Sequence, residues 1–162
     1  MFKKEKWQEP MLKNDVKNVI ISGILFAILG GILGGSLDYL FKNVIGFPIT
    51  FGLIIISLLI GYGVYRAYGS FHILYPTLTI LFMILGIFVA FFTLHLCING
   101  ISSFFTILGT GEFYLNFIKL PFSTFIVGIK YGNAGDIFMG IVNMVIYVLA
   151  FFGCYLIAKG RS

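Results

Sequence analysis

Residues 19–41 read VIISGILFAILGGILGGSLDYLF, and this run limits what the chain can fold into. At about 1.5 Å per residue it is long enough, as a helix, to cross the ~30 Å hydrocarbon layer of a membrane. Its only formal charge is Asp38, near the far end. Gly23, Ala27, Gly31 and Gly35 recur every fourth position, with Gly30 and Gly34 beside them. A helix puts such residues on one face, and Asp38 follows Gly31 and Gly34 onto it. Lipid tails are as apolar as leucine, so membrane helices associate by close contact, which small residues permit. The run is expected to be the central helix of a small bundle, packed through Gly23, Ala27, Gly30, Gly31, Gly34 and Gly35.

The remaining composition agrees. The chain is 59% hydrophobic and 10% charged, with mean hydropathy +1.03. Soluble domains carry about 25% charged residues, and 162 residues are too few to hide these runs in a soluble core. The expected partner is therefore the lipid bilayer. The net charge of +5 does not point to nucleic acid, because the cations are scattered and form no basic stripe. Cys97 and Cys154 have no cysteine or histidine partners at zinc spacing, and neither a disulfide, a metal nor a cofactor is expected.

Read in order, residues 1–18 form a polar N-terminal segment, with five lysines offset by Glu5, Glu9 and Asp15. Its apolar continuation is too long for a signal peptide and lacks a small-residue cleavage site, so a retained anchor is expected. Trp7 and Phe2 suit either an interfacial helix or a solvated tail. Residues 19–158 make an all-α, four-span membrane domain with spans at about 19–41, 48–65, 73–98 and 137–158. Gly46 and Pro48 break the chain after the first span, and Gly61 and Gly63 are expected to loosen the last turn of the second. Every face of the third is apolar, so it shows no period. Residues 99–136 are too long for a structureless loop and rich in phenylalanine. They read as an extracytoplasmic segment of one or two short amphipathic helices, interfacial or folded back on the bundle. The alternative is a fifth span over 112–129, which would bury Lys119 at a cost of about 3 kcal/mol. Residues 132–136, GNAGD, supply a turn and a helix cap, with Asp136 favoured by the helix dipole. Asn143 and Tyr147 share a face of the fourth span, where Asn143 can hydrogen-bond to a neighbouring helix.

Cytoplasmic loops collect lysine and arginine. Four spans with both termini inside put Lys3, Lys4, Lys6, Lys13, Lys17, Arg66, Lys159 and Arg161 on the cytoplasmic side. Lys42, Lys119 and Lys130 are then outside. Cys97 and Cys154 fall near opposite faces.

No phosphate loop, zinc-protease helix or nucleophile elbow is present. Arg66 reads as an interface anchor whose stem lies along apolar surface. In this topology Asp38, His95, Asn99 and Asp136, with Asn133, all lie near the outer boundary. Ionisable groups at membrane depth are costly and point to function. A polar cluster there, with Asp38 paired to His95, Asn99 or the amides of 136–138, is one expectation. Separate helix caps in contact with headgroup water are the other.

Three stretches carry a resemblance: GILFAILGGILGGSLDYL, IGYGVYRAYGSFHILYPTLTILFMILGIFVAFF and GDIFMGIVNMVIYVLAFFGCYLIA. Together they resemble a group of small four-span bacterial membrane proteins. The shared pattern is a glycine-rich first span, an I-G-x-G-V-x-R-x-x-G boundary and an acidic residue opening the last span. Some members also carry an N-terminal zinc ribbon that is not found in this sequence. The resemblance covers 20–158 and falls on Gly30, Gly34, Gly61, Gly63, Arg66 and Asp136. It implies fold and a bacterial inner-membrane location, and no activity. The expected function is non-catalytic: an accessory or scaffold subunit packing with itself, as a homo-oligomer, or with a larger membrane complex. An oligomeric permeation unit for a small solute or ion is the alternative, and an intramembrane enzyme is third.

Overall fold

The computed structural model describes residues 12–46 and 49–160, which are helical throughout apart from short connections. The readings made for Trp7 and Phe2, for an extension of the second span through Phe47 and Pro48, and for Arg161 lie outside the described residues.

Four helices form the body: α1 (Lys13–Tyr39), α2 (Gly52–Ala67), α3 (Leu74–Asn99) and, after three short helices, α7 (Ala134–Lys159). A π-helical turn, Leu40–Ile45, prolongs α1 and ends at Gly46, whose φ of 79° suits glycine. Among the described residues, three helices are long and apolar enough to cross a membrane: Lys13–Ile45, Leu74–Asn99 and Ala134–Lys159. The 16-residue α2 is about 24 Å long at 1.5 Å per residue. It begins at Gly52, four residues later than the sequence suggests, and its first turn, Gly52 and Leu53, is buried.

Both α2 and α3 touch α1 and α7, and each other. Asp15 on α1 accepts hydrogen bonds from the amides of Gly69 and Ser70 in the α2–α3 turn, at 3.2 and 3.1 Å. The Tyr68 hydroxyl donates to the carbonyl of Ala158 near the end of α7. The start of α1, the α2–α3 turn and the end of α7 therefore meet at one end, here termed the terminal end. Burial pushes the Tyr68 phenol up to about 12, with Tyr65 adding to the shift, so it remains a donor at neutral pH.

The small residues of α1 serve two partners rather than one. Consecutive residues on a helix differ by about 100°, so Gly30/Gly31 and Gly34/Gly35 each straddle two faces. A Cβ on Gly31 would come within 2.6 Å of Val89 and 2.7 Å of the Gly86 carbonyl on α3. Gly23 and Gly35 meet Phe82 and Ala90 of the same helix. Gly30 and Gly34 instead face Ile56 and Gly52 of α2. Asp38, four residues beyond Gly34, continues this second row. The single glycine face with Asp38 behind Gly31 is thus corrected to two rows, 23–27–31–35 toward α3 and 30–34–38 toward α2. On the other side of α1, Leu29, Ile32 and Leu33 are about half exposed.

Gly61 and Gly63 do not loosen α2, which continues through both to Ala67. Gly61 lets α7 approach at Cys154 and Ile157, and Gly63 receives the ring of Phe26. Although α3 shows no period in hydropathy, its burial has one: Tyr75, Thr79, Phe82, Met83, Gly86 and Ile87 line the core. Hydropathy is silent here because both faces are apolar.

The segment after α3 forms α4 (Phe104–Gly109), α5 (Gly111–Lys119) and α6 (Ser123–Tyr131). A break at Leu120–Phe122, with Pro121 inside it, divides the stretch considered as a fifth span into two nine-residue helices. The segment folds back on the body. Phe113 of α5 is buried against Phe88, Phe91 and Phe92 of α3, and Gly128 of α6 and Gly140 of α7 let those two helices touch. Asn133 caps α7 by accepting from the Gly135 amide at 3.0 Å, and its side chain also holds Asp136, at 3.0 Å, in the first turn.

Candidate functional site

A helix begins with amides that have no partner in their own helix. At α2 the residue before the helix, Phe51, offers no side-chain cap. The missing acceptor comes from α1: Asp38 Oδ1 accepts from the Gly52 amide at 2.9 Å. Only glycine fits there, because a Cβ on Gly52 would overlap the backbone of Gly34. The two backbones touch at Gly34–Gly52, and one helical turn later the carboxylate meets the start of α2. The positive end of the α2 dipole adds to the attraction.

Asp38 is 6% exposed. Removing an unpaired carboxylate from water costs several kcal/mol, and two contacts offset this. Besides the Gly52 amide, Lys42 Nζ lies 3.8 Å from Oδ2. The same ammonium reaches the Thr50 hydroxyl at 3.5 Å. Thr50 in turn donates to Asn143 Oδ1 on α7 at 3.3 Å. A polar strip therefore crosses the bundle from α1 through the start of α2 to α7. Beside it lies a cavity of about 20 Å³, bordered by Asp38, Lys42, Thr50 and Tyr147, with room for about one water.

The expected outer cluster is divided. Among the described residues, no hydrogen bond or ion pair joins Asp38 to His95, Asn99 or Asp136. His95 packs its ring on Phe91 and Phe113, at centroid distances of 4.3 and 5.4 Å, and its Nδ1 lies 2.9 Å from the Phe91 carbonyl. Asn99 donates to the His95 carbonyl at 3.0 Å, within its own helix. Asp136 is held by Asn133. The reason is the insertion: α5 covers the His95 face of α3, while α6 covers the start of α7. Asp38 does find an amide from another helix, but at Gly52 rather than at 136–138.

Sequence reasoning identified Asp38 and Asn143 and missed the residues between them. Lys42 stands four residues after Asp38, the spacing of a helical ion pair. Thr50, just ahead of a helix, was also a legible signal. Gly52 had no signal of its own, since its role depends on Gly34. At the other end of α2, Arg66 places its guanidinium 4.9 Å from the centre of the Tyr62 ring, with its side chain exposed. Cys97 and Cys154 are free thiols, the first exposed and the second buried. No group of three or more metal-ligating side chains occurs among the described residues. Comparison with protein-family models, with curated proteins and with solved structures returns no match for this chain.

Proposed function

We propose that the chain is a four-span membrane bundle with both termini cytoplasmic, acting as a non-catalytic accessory or scaffold subunit. It packs with copies of itself or with a larger membrane complex. The observation that carries this reading is the commitment of the internal polar groups to one another. Asp38, Lys42, Thr50 and Asn143 are linked from α1 and its π-helical turn, through the segment leading into α2, to α7, with Asp38 also bound to the first amide of α2, beside space for about one water. Such a strip fixes register between helices and leaves little width for a solute. Exposed apolar side chains such as Val145, Leu149 and Phe152 on α7 offer a surface to lipid or to a partner helix. The likeness to small four-span bacterial membrane proteins belongs to the same proposal, which assigns the chain to the inner membrane.

Two measurements test it. In nanodiscs, a discrete mass above the 18.1 kDa monomer, without solute release from reconstituted vesicles, is expected. A monomer would remove packing with copies of itself and leave the larger complex as the partner; release of a small ion or solute would overturn the scaffold role and favour the permeation alternative. For topology, an impermeant thiol reagent applied to intact cells should label Cys97 and spare a cysteine introduced by Ser70→Cys. Labelling of Ser70→Cys from outside would reverse the orientation.

A further inference from the structure

Near the terminal end, a groove of about 430 Å³ runs between α1 and α2. It owes its depth to glycine. Gly63 lets the Phe26 ring lie against the α2 backbone, and Ser22 donates to the Gly63 carbonyl at 2.9 Å, pinning the two helices along the floor. The walls change character along the groove. Leu25 and Phe26 line one part, and Asn18, Tyr62 and Arg66 the other. The Arg66 guanidinium lies over the Tyr62 ring, which orients it while its donors remain at the surface. Among the described residues, no acidic side chain lines the groove. Asp15, which also lies at this end, is instead hydrogen-bonded to the Gly69 and Ser70 amides and to the Ser70 hydroxyl.

We infer that this groove is a binding site for an anionic phospholipid, with the headgroup phosphate at Arg66 and an acyl chain along Leu25 and Phe26. Three features favour that occupant. Arg66, which has no ion pair among the described residues, is a planar donor fork suited to phosphate oxygens. The apolar length beside it matches a chain rather than a free ion. The position is the cytoplasmic boundary in the proposed topology, where basic pockets between helices bind acidic headgroups. The inference thus rests on the membrane reading above.

The test is lipid retention by the full chain, measured by native mass spectrometry after reconstitution in vesicles mixing phosphatidylglycerol with phosphatidylcholine. Wild-type protein should retain phosphatidylglycerol in preference to phosphatidylcholine. Arg66→Gln should reduce that preference about tenfold, as expected for loss of a charge-assisted hydrogen bond. Leu25→Trp, which fills the apolar part, should reduce retention while the thermal midpoint stays near wild type. Lys130→Gln, at the other end of the molecule, should change nothing. Added inorganic phosphate should not displace the lipid. Equal retention of the two lipids, an unchanged preference in Arg66→Gln, or displacement by inorganic phosphate would overturn the site. Failure of the protein to float with vesicles of either composition would overturn the membrane reading as well; floating with both but retaining neither would overturn the lipid site alone.

Discussion

Around Gly34 the backbones of α1 and α2 touch, whereas around Phe113 the backbones stand apart and aromatic rings fill the space. The first contact includes backbone that cannot swing aside: a Cβ on Gly34 would lie 2.9 Å from the Gly52 carbonyl, with the Ile56 side chain at 3.0 Å. The second is built from rings with several acceptable arrangements. Phe113 stacks on Phe91 at 5.0 Å and meets Phe88 and Phe92 edge-on. In lipid neither contact gains much from burial, because the surroundings are already apolar. The glycine contact relies on shape, and the phenylalanine contact on polarizable area. A rigid seam and an adaptable cover thus occupy one chain.

The largest effect should come from the seam. Gly34→Ile drives a branched side chain into backbone and should destabilise the bundle by about 3 kcal/mol, the upper part of the overpacking range. Leu33→Ile, half exposed on the same helix, should change the midpoint of thermal unfolding in detergent by less than about 0.5 kcal/mol. If the two behave alike, Gly34 is not a contact and the comparison fails.

Next in size is Asp38→Leu, which leaves the Gly52 amide buried without its acceptor, at about 2 kcal/mol. Asp38→Asn keeps an oxygen acceptor and should recover part of that loss. A full loss in both variants would move the weight from the amide to the Lys42 ion pair. In the cover, Phe113→Leu keeps most of the volume and removes the ring contacts, so about 1 kcal/mol is expected. Hydrogen exchange should show this loosening confined to α4 and α5. Spread into α1 would mean that cover and seam are one cooperative unit.

The smallest effect concerns Tyr68. Its bond to Ala158 joins helices and should contribute about 0.6 kcal/mol. The phenol titrates near 10 when unfolded and at about 12 in the fold. Because burial disfavours the phenolate in the fold, the stability that goes with the neutral phenol is fully present below pH 10 and lost as pH rises through about 12. Tyr68→Phe should lower stability slightly at neutral pH and flatten that part of the alkaline decline. An unchanged alkaline profile in Tyr68→Phe would remove this role.

The seam was more legible than the cover. Glycines at every fourth position of 19–41 carry their meaning in spacing, and all six small residues singled out in α1 lie in its buried faces. What spacing left open was the number of partners, since adjacent glycines share a stripe on paper and divide it between two helices in space. The cover gave composition without pattern. Its rings pack on residues of α3 some twenty positions away, and pairings at that distance leave no period. His95 shows the difference: its chemistry suggested Asp38, while its place on the Phe91 face assigned it to the rings.

The brevity of α2 has a consequence for the surrounding lipid. In the four-span reading, three helices match or exceed the bilayer thickness and one falls short of it. Hydrophobic mismatch costs a fraction of a kcal/mol per Å, and the bilayer thins or the helix tilts to relieve it. Here α2 is held against α1 at Gly34–Gly52, so tilting is restricted and thinning falls to the lipid beside its capped end. On that reading the deformation would be one-sided, confined to the sector where α2 meets the acyl chains. Shorter-chain lipids, or another protein with an equally short helix, would relax it most easily there. On the four-span reading, a fold fixed by glycine contacts would thereby sort its neighbours through membrane thickness.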